Sequence, residues 1–178
     1  GCQHTLGAFP PLEVRSGGGP RGQLPFNSVD YAPLLRAALV NLDRWVSTGE
    51  PPPASRHPRL ADGTAVDSQS VMDKFANLPG VPVTAKTTHA LRLDYGPEIQ
   101  ESRLTTLPAE EGQEYPALVS DIDDDFNDRA GIRLPDLTVP VATYTGWNLR
   151  HPSIGNPDLF IGISGGLAGW ALPFQKNA

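Results

Sequence analysis

The sequence predicts an α/β chain in which one long amphipathic helix precedes a β- and loop-rich tail. Three observations predict it. The stretch "SVDYAPLLRAALVNLDRWVSTG" carries apolar residues at helical spacing. Beyond Pro82 the apolar pattern shifts towards period two, the repeat of a strand. Gly and Pro number 18 and 19 among 178 residues. Together they far exceed the usual ~12%, which favours loops and short strands.

Each element has its own reason. Residues 1–27 read as loop, because "GGGP" sustains neither a helix nor a central strand. Ser28 or Asp30 can cap the helix and Pro33 is tolerated in its first turn. Leu34, Leu35, Ala38, Leu39, Leu42, Trp45 and Val46 form one apolar face. Gly49 is a natural C-cap, and the prolines at 51–53 stop the helix. "EPPPASRHPRLADGT" is a stiff extended segment that ends in a turn at Asp62 and Gly63. "VMDKFANLPG" is too short to assign. His89, Leu91, Leu93 and Tyr95 alternate as in a strand. "EYPALVSDI" and "IRLPDLTVPVATYTGWNL" also read as strands, separated by "DDDFNDRAG". Val139, Val141, Thr143, Thr145 and Trp147 would share one strand face, with Pro140 at an edge or bulge. A helix this amphipathic needs a surface to pack on. The tail supplies part of it in this reading, and a segment upstream of Gly1 supplies most.

Composition narrows the function. Apolar residues at 39% and charged residues at 19% fit a globular chain. The net charge of −6 and the absence of a Lys/Arg stripe exclude a nucleic-acid partner. No apolar run approaches the ~20 residues that span a bilayer, so no membrane partner is expected. A single Cys excludes an internal disulfide.

Several motifs invite chemistry and fail on inspection. "GISGG" matches the Gly–x–Ser–x–Gly elbow around Ser164. The stretch "GLAGWALPF" that begins at its last residue carries two glycines and a Pro, which leaves no helix to point at the Ser, and every His precedes it. "DIDDDFNDRAG", residues 121–131, suggests calcium. Counted from Asp121 or from Asp123, the sixth position is Phe126 or Asp128 where an EF-hand needs Gly, and the twelfth is Ile132 or Leu134 where it needs Glu. A polar turn fits better. Cys2, His57, His89 and His151 lack zinc spacing. Cys2 and His4 sit two apart, whereas a nucleophile and its base normally come from separate elements.

His4 differs by context. It lies in "GCQHTLG", a small-residue loop ahead of the amphipathic helix. This chain resembles the C-terminal portion of the large bacterial group of α/β-hydrolase domain-containing proteins. The resemblance rests on "GCQHTLG", on "PFNSVDYAPLLRAALVNLDRWVSTGEPPPASRHPRLADGT" and on "NDRAGIRLPDLTVPVATYTGWNLR", in the family's order. It implies the last part of an α/β-hydrolase-type domain. Residues 1–49 would end the hydrolase core, and residues 50–178 would form an extension packed on the same domain. It implies a serine esterase acting on small esters through a Ser–acid–His triad, without a cofactor or metal. His4 is the one site residue carried over, as the group that takes the Ser proton and returns it to the leaving group. The Ser and the acid would lie upstream, so the partner expected for this chain is the missing N-terminal part of the same protein. The chain alone is expected to be inactive. Two departures stand out: Cys2 replaces an expected Thr, and Phe126 replaces an expected Gly. The competing reading is a non-catalytic β-rich binding module with Trp147, Trp170 and Tyr144 as an aromatic platform.

Overall fold

The computed structural model describes residues 4, 7, 9–14, 20–85, 87–162 and 167–175. Helix α1 spans Ala32–Thr48 and is the longest among the described residues. Pro33 sits in its first turn, and the Asp30 carboxylate accepts from the Ala32 N–H at 2.8 Å. Gly49 closes it in the left-handed conformation, its N–H donating to the Trp45 carbonyl. The apolar stripe is uncovered, and no residue of α1 is buried. Leu39 is 66% exposed and Val46 79%.

The strands form three small antiparallel sheets of two strands each. β1 (Ala65–Asp67) pairs with β4 (Leu118–Ser120). β2 (Leu91–Asp94) pairs with β3 (Glu110–Glu114) across an irregularity between Leu91 and Leu93. β5 (Ala142–Tyr144) pairs with β6 (Ala171–Pro173). The expected strands at 89–95 and 114–122 appear in shortened form. β3 was not anticipated, because Glu, Gly and Gln disfavour strands; it is exposed along its whole length.

Two helices escaped the sequence pattern. α2 (Ser68–Phe75) begins at Asp67, whose carboxylate accepts from the Gln69 N–H at 2.8 Å. It buries Val71, Met72 and Phe75. The single turn α3 (Pro135–Thr138) interrupts what reads as a strand. That turn overturns the shared face expected for residues 139–147. Val139 and Val141 are exposed, whereas Ala142, Thr143, Tyr144 and Thr145 are all buried. β5 is an interior strand covered on both faces, so its burial does not alternate.

The larger core cluster joins Val71, Met72 and Phe75 of α2 to Ile122 and Trp170. Its rings meet edge to face: Phe75 lies 5.4 Å from Trp147 at 84°, and Trp147 lies 5.6 Å from Trp170 at 89°. This is the geometry favoured by the ring quadrupole. A second cluster gathers Val29, Leu137, Ala142, Tyr144 and Ala171 around β5.

Three wholly buried asparagines stitch these parts together. Asn127 donates to the Ala142 carbonyl at 3.0 Å and accepts from the Tyr144 N–H at 2.8 Å, as a paired strand would. Asn27 donates to the Thr145 carbonyl at 2.8 Å while its own oxygen holds the Val29 N–H at 2.8 Å. Asn148 donates to the Leu24 carbonyl at 2.9 Å. The segment before α1 is thereby woven into the tail, helped by an Ala171 N–H bond to the Pro25 carbonyl at 3.0 Å.

Candidate functional site

His4 is exposed, and its backbone is held from two sides. The Tyr31 hydroxyl donates to its carbonyl at 2.6 Å, and its N–H reaches the Leu167 carbonyl at 3.4 Å. Further along the loop, the Gly7 N–H donates to the Val29 carbonyl at 3.0 Å. A Cβ at Gly7 would run into the backbone of Ser28 and Val29, so the loop needs Gly there. The His4 loop is therefore fastened to residues 28–31, immediately ahead of α1. Among the described residues no hydrogen bond or ion pair to the His4 ring is formed. The nearest carboxylate in sequence, Glu13, faces Arg21 at 3.9 Å instead.

The other sequence motifs resolve into structural roles or lie outside the described residues. Cys2 and Ser164 lie outside them. The acidic loop forms a turn tied down by basic side chains. Asp121 is buried and accepts from Lys74, from Arg129 at 3.2 Å and from the Ile122 N–H at 2.9 Å. Burial pushes its carboxyl upward, but Lys74, the Ile122 N–H and Arg129 outweigh that and hold it below its ordinary value. Asp123 accepts from the Asp125 and Asn127 N–H groups and from Arg133 at 2.7 Å. Phe126 adopts φ +58°, a left-handed conformation that favours Gly. Among the described residues no three His, Cys, Asp or Glu side chains cluster as a metal site.

His151 accepts the Ser153 N–H at 3.1 Å and caps the turn at Pro152–Ile154, while His57 is exposed. Trp170 and Tyr144 are interior, and Trp147 is packed against Phe75, Phe160 and Trp170. These three aromatics do not form an exposed platform. Among the described residues no helix is long and apolar enough to cross a membrane.

Sequence reasoning missed a cavity of about 320 Å³ between α2, β4 and residues 144–147. Its wall is mainly apolar, with Phe75, Trp147 and Phe160 among the lining residues. Ser68 and Thr87 supply hydroxyls at one end; both are buried, and the Ser68 hydroxyl donates to Thr87 Oγ1 at 3.1 Å. Thr87 Oγ1 lies 3.1 Å from His89 Nε2, and His89 Nδ1 lies 3.6 Å from the Glu114 carboxylate. No local motif announces this line, because its members come from α2, the segment ahead of β2, and β3. The pairing of β2 with β3 sets His89 against Glu114.

A family model described as "Alpha/beta hydrolase domain" matches residues 8–177. The chain belongs to this family of α/β-hydrolase domains, the class its resemblance anticipated. The part described is a mixture of helix and small antiparallel sheets. His4 lies just ahead of the matched span. No curated protein and no solved structure matches the chain.

Proposed function

We propose that this chain is the C-terminal part of a serine carboxylic-ester hydrolase and contributes its catalytic histidine, His4. The observation that carries the reading is the pairing of a fastened backbone with an exposed ring. Tyr31 and Gly7 fix the loop, while the imidazole faces outward. Family membership supplies the hydrolase class. The uncovered stripe of α1 supplies a place for an upstream segment of the same protein to pack.

In this reading the upstream segment brings the nucleophilic Ser and the acid. His4 accepts the Ser proton as the alkoxide attacks the ester carbonyl, then returns it to the departing alcohol. Water repeats the sequence to release the acid and restore the Ser. A histidine performs this only while hydrogen-bonded to its Ser and oriented by its acid.

The test has two arms. The 178-residue chain should show no turnover of short aryl esters above buffer. In a longer version that carries the upstream segment, His4→Ala should lower kcat roughly 10³-fold or more with little change in stability, because triad members act as a unit. Saturable ester hydrolysis by the isolated chain, unaffected by His4→Ala, would overturn the proposal.

A further inference from the structure

We propose that the cavity between α2 and residues 144–147 binds a small aromatic alcohol. Its rings would lie against Phe75, Trp147 and Phe160, and its hydroxyl would donate to Ser68 Oγ. The inference is independent of the ester-hydrolase reading, since His4 does not line this cavity.

Size sets the body of the ligand. An apolar cavity of ~150 Å³ stays dry and takes up benzene. The cavity here measures about 320 Å³, room for a two-ring molecule. Its aromatic lining offers ring faces and edges to such a body.

The hydroxyl line sets the head of the ligand. At the far end of the line the Glu114 carboxylate lies 3.6 Å from His89 Nδ1. Thr87 Oγ1 lies 3.1 Å from His89 Nε2, and the Ser68 hydroxyl donates to Thr87 Oγ1 at 3.1 Å. What Ser68 still offers the cavity is its oxygen lone pairs. The site therefore takes a donor, and a carbonyl or carboxylate fits it poorly. A cationic head would lose its hydration against a mainly apolar wall. A neutral hydroxyl meets both conditions.

The same residues argue against chemistry at this point. The Ser68 N–H donates to the Ala117 carbonyl at 2.9 Å. The Gln69 N–H donates to the Asp67 carboxylate at 2.8 Å, and the Thr87 N–H to the Gln69 side chain at 3.2 Å. These three amides are engaged, so they offer no oxyanion hole.

The experiment is calorimetric titration of the chain with 2-naphthol and with 2-methoxynaphthalene, which keeps the rings and lacks the hydroxyl hydrogen. Both should bind one to one. Ser68→Ala should weaken 2-naphthol roughly three- to tenfold, the worth of one net hydrogen bond, and leave 2-methoxynaphthalene unchanged. Val119→Trp, at a partly exposed lining position on β4, should abolish both. The proposal is overturned by absence of 2-naphthol binding, or by binding that survives Val119→Trp. It is also overturned if Ser68→Ala spares 2-naphthol or weakens both ligands alike. Circular dichroism confirms that each variant is folded. Should Ser68→Ala not fold, Ser68→Cys, whose sulfur is a weak acceptor, replaces it with the same expected selectivity.

Discussion

The Tyr31 hydroxyl donates to the backbone carbonyl of His4 at 2.6 Å, linking the residue before α1 to the loop that carries the imidazole. The bond places a backbone atom and leaves the ring free to meet other groups. Tyr31→Phe should therefore cost the chain about 0.5–1.5 kcal/mol at most. In an active longer version it should lower kcat several-fold and leave KM nearly unchanged. Steady-state kinetics with a short aryl ester would check this, and a change confined to KM would contradict it.

Gly7 and Gly169 mark places where two backbones touch. A Cβ at Gly7 would meet Ser28, and one at Gly169 would meet the Thr145 carbonyl. Gly169→Ala lies in the core beside Trp170 and should destabilise by about 1–3 kcal/mol, the usual cost of overpacking. Gly7→Ala should cost less globally, because Gly7 lies outside the core clusters, and should instead break the Gly7–Val29 tie. Denaturant melts separate the two: only Gly169→Ala should shift the midpoint strongly.

Asp121 predicts a pH dependence. Its carboxyl titrates below the ordinary 3.8 in the folded chain. The unfolded state thus takes up a proton first as pH falls. The stabilisation is fully present above that ordinary value and is lost as pH drops through the lower, folded value. Asp121→Asn should remove this acid-sensitive part, lowering stability at pH 7 by about 1–3 kcal/mol and flattening the acid limb of the stability curve. Urea melts across the acid range measure both.

The stripe on α1 should tolerate charge in the isolated chain. Leu39 is 66% exposed, so Leu39→Glu should change stability by no more than about 0.5 kcal/mol. In a longer version whose upstream segment covers the stripe, the same change should cost several times more. Equal effects in both contexts would count against that segment packing on α1.

The helix α1 was legible because its signals are local: apolar spacing, Pro33 near the start and Gly49 at the end. β3 was hidden because "EEGQE" has no strand propensity and is held by its pairing with β2. Residues 132–149 misled for the opposite reason: a β-branched run reads as one strand, yet Pro135 opens a helical turn inside it. His4 could be singled out as a loop residue, and Gly7 shows why that loop needs its glycine. The Ser68–Thr87–His89 line could not be found, since only tertiary folding brings α2 beside the residues that precede β2. Phe126 was visible as a departure. That it keeps φ +58° while its ring packs 5.7 Å from Phe75 is a matter of packing that no spacing rule contains.

The buried asparagines have a consequence for how the chain rejects wrong arrangements. β5 is only three residues long, too short to define its own alignment by pairing alone. Asn127 reads two addresses on it at once, the Ala142 carbonyl and the Tyr144 N–H, and Asn27 reads a third at Thr145. A slip of one residue would strand these amides in the interior, at about 1–3 kcal/mol for each unsatisfied group. The amides thus act as proofreaders: their net gain in the correct fold is modest, and their penalty for a misaligned one is large. Asp at position 127 would keep the acceptor and lose the donor, so the sequence admits Asn there and little else.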